Sequence, residues 1–345
     1  MTAGSRRLVI RRTMRLGAIV LAGVVLVAGA GAAWLWAALR PPAPGDAVPR
    51  TVIVSAGDSG WTIARRLEAE GLVRRAWAVV AAARLLGVAH RLQHGEYRFT
   101  PSQPALAILR AMVRGDRVVH RITIPEGATV RQIADLLAAA GLVDRERFLR
   151  LALREGRRFA RSGLDDLPVD SLEGYLFPET YLLHRGMDEA ALVERFLDEF
   201  EARVGPAVRT AARARGLSPH QLLTVASMVE REARAPDERP VIAGVIYNRL
   251  RRGMRLEIDA TVLYALGEHK PVVTFADLEV DSPYNTYRYA GLPPGPIANP
   301  GAAAIAAAAA PAEVPYLYYV LRPDGRHHFS RTYEEHQRAV RHYRP

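Results

Sequence analysis

Ser218 to Asp259 reads SPHQLLTVASMVEREARAPDERPVIAGVIYNRLRRGMRLEID, and the fold turns on how this stretch is read. Ser218 is a good helix N-cap, Pro219 suits the first helical position, and Gln221 completes an S-x-x-Q capping box. Leu222 to Val229 carries no charge and is almost wholly apolar. A helix that is apolar all round is buried rather than amphipathic. Glu230, Arg231 and Glu232 follow it, and Pro236 ends the helix. A carboxyl emerging from so dry a segment is a candidate general acid, because burial favours its neutral, proton-bearing form. Ser227, three residues back on the same face, is placed to orient it. The alternative is a solvated face closed by a Glu230–Arg234 pair. A second helix is expected from Asp237 to Arg252, stopped by Gly253, with Asn248 and Arg249 as polar groups in an apolar pattern.

Toward the N-terminus the chain becomes membrane-like. Arg6, Arg7, Arg11, Arg12 and Arg15 precede an uncharged run from Leu16 to Leu39 that ends near Trp34 and Trp36. The run is long enough to span a bilayer, and basic residues before it with aromatics after it predict a single span, N-terminus inside. A cleaved signal peptide would have a shorter apolar core. Arg40 to Arg50 is Pro-rich and is expected to be a semi-stiff spacer that holds the next domain off the membrane.

A repeat begins at Thr51. Val52–Val73 matches Ile122–Val143 at a constant offset of 70, with Gly57/Gly127, Ile63/Ile133, Leu67/Leu137 and Gly71/Gly141 coinciding. Each copy reads as a strand, a Gly turn, an amphipathic helix and a Gly stop. The pattern resembles the opening of a LysM module, which binds N-acetylglucosamine chains; a duplicated packing unit without a ligand is the alternative. Further strands are expected at Gly95–Phe99, Tyr316–Leu321 and His327–Ser330. Asp144–Gly156 reads as a helix, Arg157–Leu167 as irregular and basic, and Glu189–Arg215 as helix with a break near Gly205-Pro206. Tyr284–Gly301, with its prolines, glycines and tyrosines, is a preset loop suited to sugar rings, with Asn299 expected to cap an Ala-rich helix.

The chain has 345 residues, a formal charge of +11, no Cys and a single Lys, Lys270. No disulfide or thiol chemistry is open to it. The basic balance fits an anionic polymer, a lipid surface or nucleic acid, and no nucleic-acid motif accompanies it, so no nucleic-acid partner is expected. No metal or cofactor is expected either.

Seven stretches, EGYLFPETY (173–181), ASMVEREA (226–233), YNRLRRGMRL (247–256), DATVLY (259–264), YNTY (284–287), GLPPGPIANPG (291–301) and YLYYV (316–320), occur in the order found in one family. The chain resembles the endolytic murein transglycosylases, the YceG-like (MltG) proteins, from Thr51 onward. The resemblance implies an α+β protein: a basic cytoplasmic tail (1–15), a transmembrane helix (16–39), a linker (40–50), a LysM-like module (51–121) and a mixed α/β catalytic domain (122–345) opening with the second repeat (122–143). It implies a single-pass protein of the bacterial inner membrane, acting on peptidoglycan glycan strands beside penicillin-binding glycan polymerases and the elongation or division machinery. Glu230 falls on the family's catalytic glutamate. Glu173, Ser227, Asn248, Asp259, Tyr284, Asn285 and Tyr287 are expected to line the cleft. Where the family has D-P-T this chain has Asp259-Ala260-Thr261, and Ile258 replaces a small hydroxyl residue. A lytic transglycosylase needs one acid, whereas a glycoside hydrolase would pair Glu230 with Glu173, Glu232 or Asp259. A non-enzymatic glycan-binding scaffold is the other alternative.

Overall fold

The computed structural model of the protein describes residues 3–159, 167–267, 270 and 272–343, with side chains from residue 19 onward. Of the irregular basic stretch Arg157–Leu167, residues 160–166 lie outside the described residues. The chain divides into two compact units, residues 1–119 with 184–187, and residues 120–183 with 188–345.

The smaller unit begins with a helix, Ala3–Ala38. Its portion Ile19–Ala38 has a mean hydropathy of 2.2 and is unburied, and at 1.5 Å per residue it is long enough to cross a bilayer's hydrocarbon core. The following Pro-rich stretch is not the free spacer expected of it. Leu39 enters the hydrophobic core beside Ala76 and Met112. Ala105 N–H donates to Leu39 O at 3.1 Å and Ala43 N–H to Pro101 O at 3.3 Å, while Arg74 Nη2 holds Pro41 O at 2.9 Å. Trp34, near the end of the apolar helix, stacks on Trp77 with centroids 4.3 Å apart. Burial of Leu39 and pairing of these carbonyls outweigh the stiffness that proline confers, so the stretch folds onto the module.

In that module β1 (Arg50–Val54) pairs antiparallel with β2 (Gly95–Phe99), Val52 facing Tyr97 across the ladder. Strand alternation buries Val52 and Val54 and exposes Ile53. Between the strands lie helices Gly60–Ala69 and Ala76–Leu85, and Ala105–Arg114 follows. Ile63, Leu67, Leu72, Tyr97 and Met112 form the centre of the core.

The larger unit opens with the same order of elements. β3 (His120–Thr123) is followed by helices Val130–Ala139 and Arg145–Arg154, and β4 (Thr180–Leu183) returns antiparallel to β3. The repeat seen over 22 residues is therefore half of a strand–helix–helix–strand unit present twice. Thr129 and Gln132 form a full capping box where the first copy has Ser59 capping Thr62. Gly57 and Gly127 share φ near +88° and +75°. In the second copy a long insertion, carrying Glu173, separates the second helix from the returning strand.

The centre of this unit is the helix Pro219–Glu232, capped by the Ser218–Gln221 box and buried without a break from Leu222 to Val229. Against it pack Gly205–Ala214, Arg239–Arg251, Asp259–Leu266 and the Ala-rich Ala302–Ala309, whose small side chains let its backbone come close. Glu189–Arg203 and Gly205–Ala214 are separate helices, parted near Gly205 as the sequence suggests. β5 (Tyr318–Leu321) and β6 (His327–Ser330) form the last hairpin, and Tyr333–Tyr343 the last helix.

Candidate active site

Three residues of the central helix, His220, Ser227 and Glu230, lie seven and three positions apart. That spacing sets them on one face of an α-helix. All three hold the same irregular segment, Gly291–Gly301. His220 Nε2 bonds Pro294 O at 2.9 Å, Ile297 N–H donates to Ser227 Oγ at 3.0 Å, and Gly301 N–H donates to Glu230 Oε2 at 2.9 Å. Proline and glycine preset the segment, and the helix fixes its position.

Glu230 ends that face. Its side chain is 7% exposed, and Oε1 faces Arg239 Nη2 at 3.5 Å. The partner is Arg239 of the next helix, not Arg234. Ser227 does not orient the carboxyl: its hydroxyl donates to Thr224 O at 2.8 Å and accepts from Ile297. Gly127 packs against the Glu230 side chain, where a Cβ would come within 3.5 Å of Glu230 Cγ. A concavity of about 360 Å3 beside it is lined by Glu126, Gly127, Gln132 and Arg231, among others. Glu126 is an exposed carboxylate that crosses directly over Gly301, so closely that any Cβ at residue 301 would collide with it. Two carboxylates thus converge on Gly301. Sequence reasoning missed Glu126, yet the repeat held a signal: at the offset of 70, the first copy has Ala56 in its place.

Behind the site a second centre forms around Asn299. Asn299 does not cap the Ala-rich helix; Gly301 does. Its Oδ1 instead accepts from Gly174 N–H at 3.0 Å and Leu176 N–H at 2.9 Å, and its Nδ2 donates to Ala128 O at 2.9 Å and Glu173 Oε1 at 3.0 Å. Glu173, 2% exposed, also accepts from Val130 N–H at 3.0 Å and from Tyr264 OH at 3.3 Å. Burial pushes its carboxyl up to about 8, against the opposing pull of those donors and of Arg131. The expectation that Glu173 lines the cleft is therefore corrected: it is enclosed and fully partnered within the protein, at the N-terminus of the Val130–Ala139 helix.

Asn248 and Asn285 are corrected in the same way. Asn248 Nδ2 donates to Val314 O and Tyr316 O at 2.7 and 2.8 Å, and Asn285 Nδ2 to Leu278 O and Val280 O at 2.8 and 2.9 Å. Buried backbone carbonyls need donors, and these amides supply them. Asp259 is exposed and accepts from Tyr287 OH. Glu232 accepts from Tyr319 OH at 2.9 Å; burial pushes it up to about 7, and Asp259 adds to the rise. This group shares no partner with Glu230, as the helical angle between residues 230 and 232 requires. Tyr284 is half-buried, its ring 4.9 Å from Tyr264, and burial pushes its phenol to about 12. Ile258 is buried, and its N–H donates to Thr286 Oγ1 at 3.0 Å. Thr286 and Thr261 supply the hydroxyls at this corner, and the helix Asp259–Leu266 starts normally through Ala260.

Because Glu173 titrates near 8 in the fold and near 4.5 as a free carboxyl, the folded state holds more protons between those values. Its contribution to stability is greatest below about 4.5 and declines as pH rises to about 8. Glu173→Gln mimics the neutral acid, so its melting temperature should rise relative to wild type as pH goes from 5 to 8. Thermal melts across that range check this; parallel curves would refute it.

Comparison with known proteins gives a consistent result. Residues 52–342 match the YceG-like family. An endolytic murein transglycosylase of Bacillus subtilis strain 168 is 36% identical over 265 residues, 73% of each chain. Another, from Streptococcus pneumoniae strain D39, is 32% identical over 322 residues, covering 84% of this chain and 57% of the relative. The crystal structure of a YceG-like protein from Listeria monocytogenes, 34% identical, covers 85% of this chain and 99% of that one, with a TM-score of 0.58.

Proposed function

The chain belongs to the YceG-like family, and we propose that it works as its named relatives do, as an endolytic murein transglycosylase. The observation that carries the assignment of roles is the setting of Glu230. It is a nearly buried carboxyl beside an open concavity, each of its oxygens met by one fixed donor. Protonated Glu230 donates to the glycosidic oxygen between N-acetylmuramic acid and N-acetylglucosamine as the C1–O bond breaks. The resulting carboxylate, steadied by Gly301 N–H and Arg239, then takes the proton of the muramic C6 hydroxyl as that oxygen bonds to C1. The product is a 1,6-anhydro end, and no water is consumed. Preset donors at the developing charge need no reorganisation during the reaction.

In this reading the apolar helix is a single-pass anchor in the cytoplasmic membrane, N-terminus inside, with the rest of the smaller unit and the larger unit outside. The arginines before it and Trp34 and Trp36 after it support that orientation. The smaller unit serves as a LysM-like glycan-binding module, a role supported by its strand–helix–helix–strand order and by half-exposed Trp61 on the rim of a concavity of about 220 Å3. Association with penicillin-binding glycan polymerases and the growth machinery belongs to the same reading.

One observation favours a second reading, a hydrolase: Glu126 lies across Gly301 from Glu230 and is open to solvent. Mass spectrometry of peptidoglycan digested by the full-length protein in detergent decides between them. The full chain is needed because Leu39 belongs to the module's core. Muropeptides lighter by one water, with anhydro ends, are expected. Reducing ends would establish hydrolysis, with Glu126 the first candidate for the second carboxylate.

A further inference from the structure

Three concavities of the larger unit share lining residues and so form one groove. The one beside Glu230 shares Gln132 and Arg231 with a second of about 300 Å3. The second shares Arg131, Arg145 and Tyr264 with a third of about 510 Å3, which ends between Tyr284 and Arg154. The groove thus follows the two helices of the second strand–helix–helix–strand copy, each about 15 Å long, away from the catalytic carboxyl.

Arginine recurs along its length, at 231, 131, 145, 150 and 154. Arg145 is matched by Asp135 and Glu146, both at 2.6 Å, and Arg150 approaches Glu155 at 3.8 Å. Among the described residues no carboxylate lies within ion-pair distance of Arg131, Arg154 or Arg231; the first two are exposed and the third is half-buried. Arg231 also donates to Gly127 O at 3.4 Å and so serves the fold as well; Arg131 and Arg154 are the two left open along the groove. In the first copy, at the offset of 70, the counterpart of Arg131 is Trp61 and that of Arg154 is Arg84, and the groove between the same two helices is lined by Trp61, Val79, Val80, Ala83 and Arg84, among others. The first copy closes with one arginine along its groove where the second has five, and this excess of charge points to a ligand.

The ligand must be extended, must present flat faces to the Tyr264–Tyr284 pair, and must carry anions at intervals. Guanidinium groups bind carboxylates through paired N–H bonds. We propose that the groove holds a glycan strand together with its peptide stems. Arg131, Arg154 and Arg231 bind the stem carboxylates, so the enzyme selects stem-bearing over denuded glycan. This rests on the transglycosylase reading for the identity of the glycan.

The test uses full-length protein in detergent and fluorescently labelled murein strands, either intact or stripped of their stems by an amidase. Binding is measured by anisotropy in the Glu230→Gln background, which separates it from turnover. Intact strands should bind more tightly than stripped ones, and added salt should erode the difference. Arg131→Gln with Arg154→Gln should weaken intact-strand binding about ten-fold, at about 0.5–1 kcal/mol for each exposed pair, and leave stripped-strand binding within about two-fold. In otherwise wild-type protein the same pair should raise KM for intact strands with kcat nearly unchanged. Equal binding of both strands, or equal losses on both, would overturn the proposal. Loss of anhydro products with stem-selective binding retained would fault the transglycosylase reading and leave the groove's specificity standing.

Discussion

Replacing Glu230 with Gln should lower the rate of anhydro-end formation by about three to four orders of magnitude, since one group serves as both acid and base and each role alone is worth about 10²–10⁴-fold. The amide still offers one oxygen to Gly301 N–H, but its NH2 group then faces the Arg239 guanidinium, so the melting temperature should fall only slightly. Glu230→Asp keeps the acid and withdraws it by one methylene from both Gly301 and Arg239. Misplacement of that order costs about 10²-fold. Initial rates from muropeptide release, with melts as the control for folding, check both. If Glu230→Gln kept a tenth of wild-type activity, the proton would have to come from elsewhere, with Glu126 and Glu232 the first candidates.

Asn299→Ala should be the most damaging change outside Glu230, the proposed catalytic carboxyl. Two buried backbone N–H groups, Gly174 and Leu176, lose their acceptor, and Glu173 loses a donor. An unsatisfied buried group costs about 1–3 kcal/mol, so the loss should be about 3–5 kcal/mol, or roughly 10 °C in melting temperature for a unit of this size. Asn299→Asp keeps an acceptor for both N–H groups and sets a second carboxyl against Glu173. That variant should approach wild type at low pH, where Glu173 is protonated, and weaken steadily as pH rises toward about 8. A melting temperature for Asn299→Ala within 2 °C of wild type would show that the clasp carries little.

What the sequence disclosed is what is decided locally. The capping box at Ser218–Gln221 is contained within four residues, and it forms. The dry segment Leu222–Val229 is buried as its composition demands. The repeat was legible over strand, turn and first helix, where the offset stays at 70. It ended at Val73 and Val143, where the spacing of the two copies changes, so the helix Asp144–Gly156 and the strand Gly95–Phe99 were read singly and not as parts of matching units. The polar residues were the hardest. Asn299-Pro300 has the local signature of a helix start, yet its amide is claimed by Gly174 and Leu176, more than 120 residues away. Asn248, Asn285 and Ser227 resemble ligand-binding groups in sequence, but each satisfies backbone groups instead, Asn248 and Ser227 those of a distant segment and Asn285 those of its own loop. Arg239 was not singled out, because its partner, Glu230, sits across a turn that sequence spacing does not reveal. The dry helix and the resemblance to the family pointed to Glu230 as the candidate acid; the donors around it came from the three-dimensional arrangement.

The bond between Gly301 N–H and Glu230 joins residues 71 positions apart, and chains are made from the N-terminus. At about 5–20 residues per second, Glu230 leaves the ribosome roughly 4–14 seconds before Gly301 does. In that interval the central helix exists without the segment that His220, Ser227 and Glu230 hold. The carboxyl then lacks its fixed donor, and Asn299 has yet to join the Gly127 turn to the Glu173 insertion. A polypeptide that cuts the polymer enclosing its own cell should thus be inactive until Gly301 has been made, and a chain truncated before residue 299 should show no activity.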